Sequence, residues 1–280
     1  MRILVTGASG LLGRLVMETA ARRFHDVSGL ARTELDITDR AGVRRAIREF
    51  SPSVVINCAA YTDVDGAERE PERALQVNAG GAAHVAEAAR ELDAGVVHIS
   101  TDYVFDGKAH RPYREDDVTA PLSSYGRSKL EGERRVASAH PKGHVIVRTA
   151  WLYGPGKGFV DWARGRLERG DELRLIEDQM GSPTSAGELA RALLRLVEGG
   201  HLGLFHYVNP GRTSWLDFGR TLAQELGVEN PRIRPVQASE LSRLARRPSY
   251  SVLSVERFER TTGEPSRSWL DALRRYLASS

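Results

Sequence analysis

The first thirteen residues restrict the fold more than any other stretch. Arg2-Ile3-Leu4-Val5-Thr6 is an apolar run of the kind that forms a buried strand. It passes directly into Gly7-Ala8-Ser9-Gly10-Leu11-Leu12-Gly13, after which apolar residues recur at helical spacing to about Arg23. Strand, glycine turn and helix in that order bring backbone N–H groups and a helix N-terminus to one point. A pyrophosphate fits there, and only residues without a Cβ let it approach closely. Gly7, Gly10 and Gly13, with Leu11 and Leu12 between them, are therefore the expected dinucleotide cradle.

The same alternation continues downstream. Strands are expected at 26–30, 53–57, 95–99 and 144–148, with helices over 39–50, 63–92 and from Ser124 onward. Five repeats of strand and helix predict an α/β, Rossmann-type, doubly wound parallel sheet. Past Thr149 the regularity weakens: helices are expected at 159–169, 185–198, 214–226 and 266–277, and short strands at 173–176 and 205–208. Pro183, Pro210-Gly211 and Pro231 to Pro235 separate these pieces. We therefore expect a dinucleotide-binding domain over 1–150 and a smaller, interleaved substrate-binding domain over 151–280, with a segment near 172–212 returning to the sheet. The stretch from Asp102 to Pro121 has no strong period and is expected to be a surface segment over the site.

Chemistry concentrates in Ser123-Ser124-Tyr125-Gly126-Arg127-Ser128-Lys129. At the start of a helix, Tyr125 and Lys129 share one face four residues apart. An ammonium beside a phenol favours the phenolate, so Lys129 is expected to lower the pKa of Tyr125 and ready it for proton exchange with a carbonyl or alcohol. Lysine is rare here, 4 residues against 36 arginines, and a compact ammonium differs chemically from a planar guanidinium. Tyr153 and Lys157 have the same spacing, but Gly154-Pro155-Gly156 forbids a helix between them. In open α/β sheets ligands sit at the C-terminal ends of strands. At the second strand's end the acid that would read the ribose 2′-OH of NAD is missing, and Arg32 follows, a partner for the 2′-phosphate of NADP. At the fourth, a hydroxyl from Ser100 or Thr101 is placed to bond the same substrate oxygen as Tyr125. Small residues, Cys58-Ala59-Ala60, close the third strand where a cofactor passes.

Charge and composition exclude other classes. The net charge of +3 comes from 40 basic against 37 acidic residues and makes no basic stripe for nucleic acid. The single Cys58 allows no internal disulfide, as expected of a reducing cytoplasm. No run approaches the ~18 apolar residues of a membrane span, and Met1-Arg2 leads straight into a strand rather than a signal peptide. A soluble, cytoplasmic protein is expected, and no metal-ligand spacing is visible.

The Gly7 to Gly13 spacing resembles the extended short-chain dehydrogenase/reductase superfamily. Four further stretches narrow the likeness: Ser100-Thr101-Asp102-Tyr103-Val104-Phe105-Asp106-Gly107, Tyr125 to Glu133, Arg148-Thr149-Ala150-Trp151-Leu152-Tyr153 and Ala245-Arg246-Arg247-Pro248. Together they resemble the dTDP-4-dehydrorhamnose reductases over essentially the whole chain. The resemblance implies reduction of the C4 ketone of a dTDP-6-deoxy sugar with NADPH, NADH being an alternative. It implies Tyr125 as proton donor, Lys129 as its activator and ribose ligand, and Thr101 as a second hydrogen bond to the carbonyl. Trp151, with Thr101 and Asp102, falls in the implied sugar-nucleotide site, and Asp36, Ile37, Ala59, Ala60, Tyr61 and Thr62 fall against the cofactor. A homodimer, with a divalent ion at the contact, is compatible with the resemblance. Two alternatives share parts of these motifs: a sugar-nucleotide epimerase or dehydratase, and a non-catalytic regulatory subunit like that of methionine adenosyltransferase.

Overall fold

The computed structural model describes residues 1–156 and 158–279; Lys157, one half of the spacing set aside above, lies outside them. The chain begins with β1 (Arg2–Thr6), α1 (Leu11–Arg22), β2 (Asp26–Leu30), α2 (Arg40–Phe50) and β3 (Val54–Asn57). Asp39 starts α2 by accepting a hydrogen bond from Ala41 N at 3.1 Å. The single helix expected over 63–92 is broken into α3 (Gly66–Arg69), α4 (Pro71–Leu75), a π-helical turn at Gln76–Gly81, and α5 (Ala82–Arg90). Pro71 lacks the N–H that would continue α3 and starts α4 instead. Then follow β4 (Gly95–Thr101), a 3₁₀ turn at Asp102–Val104, α6 (Ser124–Ala139) and β5 (His144–Thr149).

The second half is shorter-stepped: β6 (Leu152–Tyr153), α7 (Phe159–Glu168), β7 (Leu173–Ile176), β8 (Met180–Gly181), β9 (Thr184–Ser185), α8 (Ala186–Glu198), β10 (Gly203–His206), β11 (Thr213–Ser214), α9 (Trp215–Glu225), β12 (Ile233–Val236), α10 (Glu256–Thr262) and α11 (Trp269–Leu277). The proline-rich stretch read as a separator carries β12, which pairs in parallel with β7. An edge strand tolerates Pro235 because the missing N–H faces solvent there.

Six parallel strands form the central sheet in the order β10-β5-β4-β3-β1-β2. Ile3 and Val5 face α1 and α8, whereas Leu4 faces α2 and α5, so burial on both faces explains the unbroken apolar run of β1. Each such side chain contributes about 1.5–3 kcal/mol on burial. The order reverses beside β1, with β2 on one side and β3 on the other, which opens a crevice at the C-terminal ends of β1 and β3. The fold is Rossmann-type and doubly wound. A separate core, with Tyr153, Leu173, Phe218 and Leu273 among its members, joins α7, α9, α11 and β7.

The segment before Pro121 is not a surface loop throughout. Phe105 is fully buried and stacks on Tyr113 at 4.1 Å, and Tyr113 bridges to Leu253 far along the chain. This distant partner, which no local pattern signals, converts the loop into a seam between the halves. Among the described residues no helix is long and apolar enough to cross a membrane.

Candidate active site

The crevice begins at Gly7, whose φ of +67° suits glycine. A Cβ there would lie 2.6 Å from Ala59 N, so the β1 and β3 ends meet only because Gly7 has none. Gly10 stands at the α1 N-cap with no side-chain cap, and no acid occupies the helix's first turn. Its N–H dipoles are thus left to an anion from solution. Leu12 and Gly13 are buried beneath the turn and Leu11 is half-buried. These features fit a dinucleotide's pyrophosphate.

At the far end of β2, Arg32 is exposed and close enough to Asp36 to favour its ionised form. Asp36 is held below the usual carboxylate range chiefly by Thr38, whose N–H and hydroxyl donate to it at 2.9 and 2.8 Å. Ile37 is only 3% exposed and packs under Gly81. Ala59, Ala60 and Tyr61 are half-buried and Thr62 is exposed. Asn78 anchors this strip. It accepts from Tyr61 N at 2.8 Å and donates to Tyr61 O at 3.0 Å and to Ser128 Oγ of α6 at 2.9 Å. An amide among alanines and glycines was the available signal.

Helix α6 starts where three groups converge. Ser123 Oγ accepts from Gly126 N at 3.1 Å, and Glu68 of α3 accepts from Ser124 N and Oγ at 2.7 and 2.8 Å. Gly126 sits against the carbonyl of Tyr103 with no room for a side chain. Tyr125 is thereby set edge-on to Tyr103, with ring centroids 5.9 Å apart. The Thr101 hydroxyl acts on the Tyr125 phenol to lower its pKa, and it donates to Asp102 Oδ1 at 2.9 Å. Ser100 points elsewhere, donating to Glu133 at 2.5 Å, so of the two candidate hydroxyls Thr101 is the one beside Tyr125.

The electrostatics correct one sequence expectation. Tyr125 is raised above its ordinary value, first by burial and next by the Asp102 carboxylate. Lys129 does not offset these effects; its ammonium donates to Ile99 O at 2.5 Å. Burial takes Lys129 down to about 8, with the Glu133 carboxylate opposing. Asp102 is pushed up to about 6 by burial, and Tyr103 up to about 12 by burial and Asp102. Lys129 also acts on the Cys58 thiol at the β3 end, which places α6 beside the end of that strand.

Trp151 follows β5 with φ +45°, a left-handed backbone that a bulky residue seldom adopts. Its indole stacks on Trp215 at 3.7 Å and abuts Gly181. Of the paired arginines, Arg247 is committed to Asp65, with N–O distances of 3.2 and 2.9 Å, whereas Arg246 is exposed. Among the described residues no group of three or more His, Cys, Asp or Glu is placed to hold a metal ion. A cleft of about 540 Å³ between α1, α8 and α11 lies apart from this chemistry; none of Thr101, Tyr125 or Lys129 lines it.

A dinucleotide cradle opposite a buried Thr-Tyr-Lys constellation defines an NAD(P)-dependent oxidoreductase of the short-chain dehydrogenase/reductase class. Residues 1–280 match the family model described as the RmlD substrate binding domain. The dTDP-4-dehydrorhamnose reductase of Mycolicibacterium smegmatis is 46% identical over 99% of this chain and 85% of its own length. A probable dTDP-4,6-dihydroxy-2-methyloxan-3-one 4-ketoreductase of Streptomyces antibioticus is 42% identical over 98% of this chain and 94% of its own. The crystal structure of a Bacillus anthracis dTDP-4-dehydrorhamnose reductase in complex with NADP superposes with a TM-score of 0.96 at 35% identity, covering 100% of this chain and 99% of that one. The chain belongs to the dTDP-4-dehydrorhamnose reductase family.

Proposed function

We propose that this protein reduces the C4 ketone of dTDP-4-dehydro-6-deoxy-L-mannose to dTDP-L-rhamnose, with NADPH as the preferred reductant. The observation that carries the reading is the Thr101 hydroxyl beside the Tyr125 phenol, with Lys129 one turn along α6. Gly7 to Gly13 and Ala59 to Thr62 would hold the reduced dinucleotide, which would supply the hydride. The two hydroxyls hold the ketone oxygen between them, and the Tyr125 phenol gives its proton as charge builds there. A phenol raised in pKa is protonated throughout the neutral range, the form a donor needs. Lys129 contributes a positive charge beside the cofactor's ribose, and Asp102 and Trp151 line the sugar side. On this reading residues 1–150 bind the dinucleotide and 151–280 chiefly shape the substrate pocket, with 172–212 returning to the sheet. The surroundings are a reducing cytoplasm, where Cys58 stays a thiol.

The dehydratase alternative requires a base next to Thr101 and Asp102. Tyr103, pushed up to about 12, remains protonated and cannot take a C5 proton near neutrality. Purified protein given dTDP-4-dehydro-6-deoxy-L-mannose is expected to oxidise NADPH stoichiometrically and to leave dTDP-glucose unchanged. Tyr125→Phe is expected to lose at least 10²-fold in kcat, the range of a general acid, while NADPH still binds. Turnover within threefold of the wild type would remove Tyr125 from that role.

A further inference from the structure

Buried polar side chains without a partner are rare in a folded chain, because on leaving water they forfeit hydrogen bonds that nothing replaces. Gln179 is one of them: it is 7% exposed, and its carboxamide has no hydrogen-bond partner among the described residues. The two acids before it behave otherwise. Glu177 and Asp178 are exposed and accept from Gln237 Nε2 at 2.7 Å and from Ala238 N at 2.8 Å. Gln179 alone of the three is turned inward. The hydroxyls of Thr149 and Tyr153 also lack partners, but both are sealed from solvent, whereas the Gln179 amide keeps an outlet through which a ligand can reach it.

Its surroundings place it on the sugar side of the site. Gln179 precedes β8, whose Gly181 lies so close to the Trp151 indole that a Cβ would run into the ring. Alternate residues of an extended chain share a face, so Gln179 stands on the Trp151 face, about 7 Å along from that contact. The segment is pinned on both edges. Met180 N donates to Ser249 O at 2.7 Å and Met180 O accepts from Ser251 N at 2.8 Å, while Met180 and Gly181 pair with Ser214 and Thr213 of β11. β11 leads into Trp215, which stacks on Trp151. A free amide on a fixed strand beside an aromatic wall contributes nothing to the fold and is preorganised for a ligand.

We propose that Gln179 is a substrate-binding residue whose carboxamide hydrogen-bonds the ring hydroxyls of the sugar in the sugar nucleotide. The inference deepens the reading of Trp151 as part of the sugar side and rests on it. A hydroxyl both donates and accepts, and a carboxamide offers one acceptor oxygen and two N–H donors, so a single side chain can serve two neighbouring hydroxyls. A diphosphate only accepts and would leave the amide oxygen unpaired.

Gln179→Met keeps the length of the side chain and removes both polar ends. No partner inside the protein is lost, so its Tm is expected to equal or exceed that of the wild type. By titration calorimetry dTDP-L-rhamnose is expected to bind about tenfold more weakly to the variant, whereas dTDP, which lacks the sugar, and NADPH bind as they do to the wild type. KM for the keto sugar should rise with the first loss, and kcat should change less. Affinity for dTDP-L-rhamnose within about twofold of the wild type overturns the proposal. So does an equal loss for dTDP, which would put the amide on the nucleotide, or a Tm lowered by several degrees, which would give Gln179 a partner within the fold. Wild-type protein that binds no dTDP-L-rhamnose overturns the function proposed above and this inference with it, so the two failures are told apart.

Discussion

Arg32 is a residue whose consequence can be isolated. It stands exposed past the end of β2 beside Asp36, where Glu34 Oε2 also accepts from Ala31 N at 2.8 Å. Charge-assisted contacts contribute roughly 1.5–3 kcal/mol, so Arg32→Ala is expected to weaken NADPH about tenfold or more and leave NADH nearly unchanged. Titration of nicotinamide fluorescence with each cofactor decides it; equal losses for both would mean that Arg32 does not read the 2′-phosphate. Lys129 shows the limit of residue-level reasoning. Its four-residue spacing from Tyr125 was correct, yet proximity along a helix did not fix where the ammonium points. The Ile99 carbonyl captured it, and the phenol went up in pKa rather than down.

At the scale of elements, α6 brings the chemistry together, and its entry depends on close backbone contact. Gly126 occupies the first turn, where an added Cβ would run into Tyr103 O and lie 3.0 Å from Pro121 Cβ. Replacing a helical glycine with alanine ordinarily favours the helix by about 1 kcal/mol. Here the added Cβ must push α6 off the 3₁₀ turn, taking Tyr125 from Thr101. Gly126→Ala is therefore expected to keep its far-UV circular dichroism and lose more than tenfold in kcat, since displacements near 1 Å cost up to about 10²-fold. Activity equal to the wild type would show that the turn yields without moving the tyrosine.

Over the whole molecule, the segment after β12 crosses from the second core to the first. Asp65 ties it down, accepting from Ala245 N at 2.9 Å and from both ends of the Arg247 guanidinium. Arg247 also acts electrostatically on the Tyr103 phenol, so this latch reaches the residues around Tyr125. The Arg247 hydrogen bond is the main reason Asp65 sits at about 2. That is below the unfolded value of about 3.9, so the carboxylate's contribution is fully present above pH 4 and is lost as pH falls from there through 2. Asp65→Asn is expected to lower Tm by several degrees at pH 7, with the gap to the wild type narrowing between pH 4 and 2 and KM for the sugar nucleotide raised. A gap that is constant with pH would place the effect outside the ion pair.

Local chemistry was enough for much of this protein. Apolar runs buried on both faces make parallel strands wherever they occur, and a glycine turn after the first of them admits a pyrophosphate by steric necessity. Both were legible in residues 2–13, and the tyrosine and lysine pair on one helix face was legible in residues 125–129. Three-dimensional packing decided the rest, because its partners lie far apart in the chain and neither member announces the other. Arg247 finds Asp65 across 182 positions and Arg148 finds Glu133 across 15. Trp151 meets Trp215 only after its backbone turns left-handed at the end of β5. No periodicity encodes such pairings, since they arise where buried charges and rings from separate elements must satisfy one another out of water. Which carbonyl takes the Lys129 ammonium, and which of Ser100 and Thr101 stands beside Tyr125, followed from those pairings.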